Sequence, residues 1–144
     1  GCEVRYTSTS GVAREERYPA LSLAELLSWA DVVSIHCPLN ARTRNLIGAP
    51  ELKIMKRSAI LINVARGGIV DEAALATALD RGSIAGAALD VFTQEPLAAD
   101  NPLTHIAAPD RILLSPHNAW SPVEAVEVLV GCIERNITEF CNRQ

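Results

Sequence analysis

Short apolar runs rich in β-branched residues recur along this chain, with helical patterns between them. Val32-Val33-Ser34-Ile35 and Ala59-Ile60-Leu61-Ile62 are the clearest. A strand wetted on one face alternates apolar and polar residues. A nearly continuous run instead predicts a strand covered on both faces, as in a parallel sheet. The expected strands are 3–7, 32–37, 59–64, 85–91 and 112–115.

The intervening segments carry helix start signals. Ser22-Leu23-Ala24-Glu25 is a capping-box pattern ahead of Leu26, Leu27 and Trp29. Asp71 is placed to cap a helix over 72–81, whose Ala74, Leu75, Ala78 and Leu79 share one face, and Gly82 stops it. Ser121-Pro122-Val123-Glu124 offers a cap, a proline at the first helical position and a glutamate three residues after the cap. The helix it opens is expected to run to about residue 140. Strand and helix in alternation imply right-handed crossovers and an open, doubly wound α/β sheet. Ligands of such sheets bind beyond the carboxyl ends of the strands.

Composition narrows the class. The 144 residues are 49% hydrophobic and 21% charged, with a net charge of −4. The cations are scattered, so nucleic acid is not an expected partner. No apolar run is long enough to span a membrane, and Gly1-Cys2-Glu3-Val4-Arg5 lacks the layout of a signal peptide. Cys2, Cys37, Cys132 and Cys141 form no Cys-x-x-Cys pair and have no histidine at ligand spacing, so no metal is expected. Free buried thiols are expected rather than disulfides, which fits a reducing cytoplasm.

Three strand ends carry chemistry. The third strand runs into Asn63-Val64-Ala65-Arg66-Gly67-Gly68, the fourth into Asp90-Val91-Phe92-Thr93-Gln94-Glu95-Pro96 and the fifth into Ser115-Pro116-His117. Taken singly, Arg66 reads equally as a surface arginine before a turn, and Glu95 as a solvated loop acid. Asp90 sits in an apolar stretch and needs a partner, such as a cofactor hydroxyl or amide. Taken together, the residues fit one reaction type. A guanidinium fork holds a substrate carboxylate. An imidazole exchanges the proton of an oxygen on the neighbouring carbon, and a carboxylate orients that imidazole and favours its charged form. Hydride transfer itself would be a cofactor's work.

Over essentially its whole length the chain resembles the D-isomer-specific 2-hydroxyacid dehydrogenases. The matching stretches are 30–39, 63–72, 86–92, 95–97 and 115–117. The resemblance implies a Rossmann-like doubly wound parallel sheet that binds NAD or NADP and acts on a small 2-ketoacid or D-2-hydroxy acid. It implies that Arg66 holds the carboxylate, His117 is the general acid/base and Glu95 its partner. It places Ser8 and Thr9 near the adenosine ribose, and Cys37, Pro38 and Thr43 around the adenine and ribose. Val64, Arg66, Asp90, His117 and Ala119 would line the nicotinamide side. His117-Asn118-Ala119-Trp120 resembles the glycerate dehydrogenase/hydroxypyruvate reductase subgroup, so hydroxypyruvate and glyoxylate are the expected substrates. Glu95 separates the chain from the formate-oxidising branch, which has Gln there.

Two departures stand out. Tyr6-Thr7-Ser8-Thr9-Ser10 lacks the aspartate with which NAD-preferring members bind the ribose 2′-hydroxyl, so NADP is as plausible as NAD, with Arg14 or Arg5 as counter-charge. The chain also has no Gly-x-Gly-x-x-Gly. Residues 1–144 are therefore expected to be a partial dinucleotide-binding domain, without its first strand, its Gly-rich loop or a substrate domain. Alone they are expected to be inactive, and an open sheet edge would favour a homodimer. The alternative from another class is a corepressor-like module that senses NAD(H), which would bind the dinucleotide without turnover.

Overall fold

The computed structural model describes residues 1–12 and 17–143. Four parallel strands, β1 (Val32–Ile35), β2 (Ile60–Asn63), β3 (Gly86–Leu89) and β4 (Ile112–Leu114), lie side by side in chain order. Helices α1 (Leu23–Trp29), α2 (Ala49–Ile54) and α3 (Glu72–Asp80) precede or link them, and α4 (Val123–Cys141) comes after β4. The register pairs Ile35 with Asn63 and Asn63 with Leu89, so these strands end level at one edge of the sheet.

Alternation within each strand explains the packing. Val33 and Ile35, Leu61 and Asn63, and Ala87 and Leu89 point to one face and are buried. The apolar ones share a single core with Leu27 of α1, Leu52 of α2, and Leu75 and Leu79 of α3. The opposite face departs from the expectation of cover on both sides. Val32 is 56% exposed, Ile60 42% and Leu113 68%, and among the described residues no side chain of α4 is buried. On α4 itself Val123, Val130, Ile133, Ile137 and Phe140 are all exposed.

Two of the three expected helix starts form as caps. Ser22 closes a capping box: its hydroxyl accepts from the Glu25 amide at 3.3 Å, and the Glu25 carboxylate accepts from the Ser22 amide at 2.9 Å. Hydrogen bonds from the Ser22 hydroxyl and amide hold the Glu25 carboxyl below its usual range. Ser22→Ala is expected to cost about 1 kcal/mol of stability, measurable by urea unfolding. Asp71 caps α3 by accepting from Ala74 N at 2.9 Å, and Gly82 comes after it at φ 61°. Ser121 does not cap α4. Its hydroxyl donates to Asn118 O at 2.7 Å, and Pro122 takes the cap position without a side-chain bond. The six-residue α2 carries no strong sequence signal and is not among the expected helices.

The strand expected over 3–7 is reduced to one parallel bridge between Tyr6 and Ala20. A ladder needs a neighbour along its length, and no described strand runs beside residues 3–7. The thiols are free as expected but not buried: Cys2 and Cys141 are exposed, and Cys37 and Cys132 are half-buried. Cys37 sits at the margin of the core after β1, and Cys132 lies on α4, none of whose described side chains is fully buried. Among the described residues no helix is long and apolar enough to cross a membrane, and no cluster could hold a metal ion.

Candidate active site at the strand ends

Asn63 ends β2 and shapes the turn after it. It is 1% exposed; its Oδ1 accepts from Ala65 N at 3.1 Å and its Nδ2 donates to Arg66 O at 3.0 Å. This Asx-type lock fixes the turn that presents Arg66. Gly67 then packs against the loop after β3. A Cβ built there would stand 1.8 Å from Phe92 O and 2.6 Å from Thr93 N. The arginine turn and the Phe92–Glu95 loop are thus in direct backbone contact.

Glu95 turns back on its own loop. Its Oε1 accepts from Phe92 N at 2.9 Å, and its Oε2 lies 2.7 Å from His117 Nδ1. The Phe92 amide, together with the hydrogen bond and charge of His117, holds the Glu95 carboxyl below its usual range against a smaller effect of burial. An ionised carboxylate only accepts, so Nδ1 carries the proton in this pair. Among the described residues no hydrogen bond engages the other ring nitrogen, Nε2, and the side chain is 43% exposed. Phe92, Pro96, Leu97, Leu114 and Pro116 complete an open cleft of about 530 Å³ with Glu95, Ser115 and His117.

His117 is held in a costly backbone conformation, φ 53°, which for a residue with a Cβ costs about 1–2 kcal/mol. Asp90 maintains it. Its carboxylate accepts from Asn118 N and Ala119 N, each at 2.9 Å, and from the Ser115 hydroxyl at 2.6 Å. Burial pushes the Asp90 carboxyl up, but these donors and the charge of His117 outweigh it and keep it below its usual value. The buried Asp90 carboxylate thus finds protein partners in the loop that carries His117. Trp120 adds a further tether, donating from its indole to His117 O at 3.0 Å.

The remaining candidates divide. Cys37 and Pro38 after β1, and Val64 after β2, lie past level strand ends and share one sheet edge; burial raises the Cys37 thiol's pKa. Thr43 is fully buried, and its hydroxyl donates to Pro38 O and accepts from Asn40 N, so it locks the turn beside them. Ser8 donates to Val12 O at 2.6 Å within the turn that holds Thr9. Arg5 is ion-paired with Glu3 and stacked on Trp29 at 5.1 Å, and Arg14 lies outside the described residues. Sequence reasoning does not single out Asn63 as the shaper of the arginine turn or Trp120 as a brace for His117. An Asx residue ahead of Arg-Gly-Gly is the usable signal for the first.

A parallel α/β sheet with its polar side chains gathered past the strand ends is a Rossmann-like nucleotide-binding domain. Comparison with known proteins gives the family. Residues 1–119 match the D-isomer specific 2-hydroxyacid dehydrogenase, NAD binding domain, and the chain belongs to that family. It is 47% identical to glycerate dehydrogenase of Methylorubrum extorquens over 83% of its own length and 38% of that protein's. It is 54% identical to glyoxylate reductase of Aeropyrum pernix over 83% of its length, which is 35% of that protein's. The NADPH-dependent glyoxylate/hydroxypyruvate reductase of Sinorhizobium meliloti, solved with NADP and malonate, superposes with a TM-score of 0.75 at 34% identity, covering 85% of this chain and 37% of that one. The chain thus spans little more than a third of each of these relatives.

Proposed function

We propose that the protein carrying these residues reduces a small 2-ketoacid to the D-2-hydroxy acid with NADH or NADPH, and that hydroxypyruvate and glyoxylate are its substrates. The carrying observation is the His117–Glu95 pair, 2.7 Å apart, with the imidazole's Nε2 unengaged among the described residues and the arginine turn packed on the same loop. The names of the relatives agree in substrate class.

In this reading Arg66 grips the substrate carboxylate and so fixes the neighbouring carbonyl. His117 gives its Nε2 proton to that carbonyl oxygen as it becomes a hydroxyl. Glu95 accepts from Nδ1 and so keeps the ring in place with Nε2 toward the substrate. The nicotinamide supplies the hydride when bound. In this reading Val64, Arg66, Asp90, His117 and Ala119 stand on the nicotinamide side, Cys37, Pro38 and the turn locked by Thr43 toward the adenine, and Ser8 and Thr9 toward the ribose. Residues 1–144 are then part of the dinucleotide-binding domain, and the substrate domain lies outside them. The same reading takes the protein to be a cytoplasmic homodimer.

The test is NAD(P)H-dependent reduction of glyoxylate and hydroxypyruvate by the full-length protein and its Arg66→Gln variant. Losing a charge-assisted carboxylate contact is expected to lower kcat/KM about 10- to 100-fold, mostly through the ketoacid KM. A protein that binds NADH yet consumes none with either ketoacid would be a sensor instead.

A further inference from the structure

Glu72 is the first residue of α3, where an acid is ordinarily explained by the helix dipole. Its carboxylate does something else. Oε1 accepts from Thr93 N at 2.7 Å, and Oε2 accepts from Asn101 Nδ2 at 2.6 Å. Both partners lie in the long connection after β3 that carries Glu95. Asn101 is itself fixed, its Oδ1 accepting from Leu103 N at 3.0 Å. The connection is therefore strapped to the start of α3 at both ends of the segment that holds Glu95.

We infer that Glu72 is a positioning residue for the acid/base pair, setting the placement of Glu95 and His117 relative to Arg66. The connectivity gives the reason. Glu72 comes after the Arg66-Gly67-Gly68 turn within one short stretch, with Asp71 capping the helix between them. Thr93 is next to Phe92, whose amide binds Glu95 Oε1. One carboxylate thus ties the turn that presents the guanidinium to the loop that presents the imidazole's partner. The Gly67–Phe92 contact keeps those segments from moving closer, and Glu72 keeps them from moving apart.

This inference rests on the acid/base reading of Glu95 and His117, and its test separates the two. In the full-length protein, Glu72→Ala is expected to lower kcat about 100-fold, the effect of displacing a catalytic group by about an ångström, with the cofactor KM unchanged. Without the strap the Phe92 amide no longer holds Glu95 squarely. The acid limb of kcat/KM is therefore expected to move up in pH, toward the ordinary carboxylate range. Glu72→Gln keeps an acceptor for Thr93 N and is expected to recover most of the loss. If the alanine variant does not fold, Glu72→Asp, one methylene short, should move the same limb in the same direction.

Asp80→Ala is the control. That residue straps the far end of α3, accepting from Ala107 N at 2.7 Å; its loss should lower Tm and leave the acid limb in place. Parental kcat in Glu72→Ala, or a fall in kcat with an unmoved acid limb, would overturn the positioning role. If Glu95→Gln also left turnover and the limb unmoved, the acid/base reading would fall with it. If Glu95→Gln changed both while Glu72→Ala changed neither, the positioning role alone would fall.

Discussion

Replacing His117 by alanine is expected to cut turnover of the full-length protein about 100- to 10,000-fold, the range for loss of a general acid/base. Dinucleotide binding should survive, because the ring lies 43% exposed at the cleft and is not part of the hydrophobic core. Glu95 gives the effect its pH dependence. Its folded-state carboxyl is held low by the Phe92 amide and by His117. The stability this pair contributes is therefore present above the ordinary carboxylate value and lost as pH falls through the depressed one. The acid limb of activity should lie below the ordinary glutamate range, and in the Phe92–Glu95–His117 arrangement it reports Glu95. Parental turnover in His117→Ala, measured by NADH consumption, would refute the proton-transfer role.

The second large effect is expected at Gly67. An alanine Cβ there would stand 1.8 Å from Phe92 O and 2.0 Å from Phe92 C, and neither is the end of a flexible side chain. One backbone segment must move. Overpacking of this kind costs about 1–3 kcal/mol. The functional loss should be larger than the stability loss, since Phe92 N is the donor that fixes Glu95. Gly68→Ala separates space from conformation. At Gly68 the nearest atom to a new Cβ is 3.6 Å away, but φ is 76°, so that variant should lose about 1–2 kcal/mol through backbone strain while keeping Glu95 in place. Thermal melts and kcat on both variants decide it: Gly67→Ala with parental kcat would show that the two turns are not coupled.

Much of the fold is legible in the sequence where period and punctuation agree. Val33, Ile35, Leu61 and Leu89 have the burial that strand residues in such runs should have, and Ser22 and Asp71 cap as their spacing predicts. Ser121 is not the cap because the helix starts one residue later, with Pro122 in the cap position, and its hydroxyl is turned to Asn118 O. Residues 3–7 have strand composition, but ladder formation is a property of two segments and only one is described there. At the site, residue types and strand-end placement nominate Arg66, Glu95 and His117. What stays hidden is long-range: Glu72 to Thr93 and Asn101, and Asp90 to Asn118 and Ala119, are pairings across 21 to 29 residues. No local pattern marks the partners of such bonds. The odd setting of Asp90 announces that it has a partner without saying which.

The Asp90 bonds have a mechanical consequence. The 19 residues of α4 extend about 28 Å at helical rise, and among the described residues none of their side chains is buried. Tilting that helix would disturb none of the described core residues. Its root is at Pro122, a few residues from the imidazole. A swing of so long an arm would be delivered as torque to the loop that holds His117. The two amides anchored on Asp90, at Asn118 and Ala119, lie between arm and imidazole and take that load first. On the proposed role of His117, that carboxylate would keep the imidazole aligned with Glu95 if the arm beyond it moved.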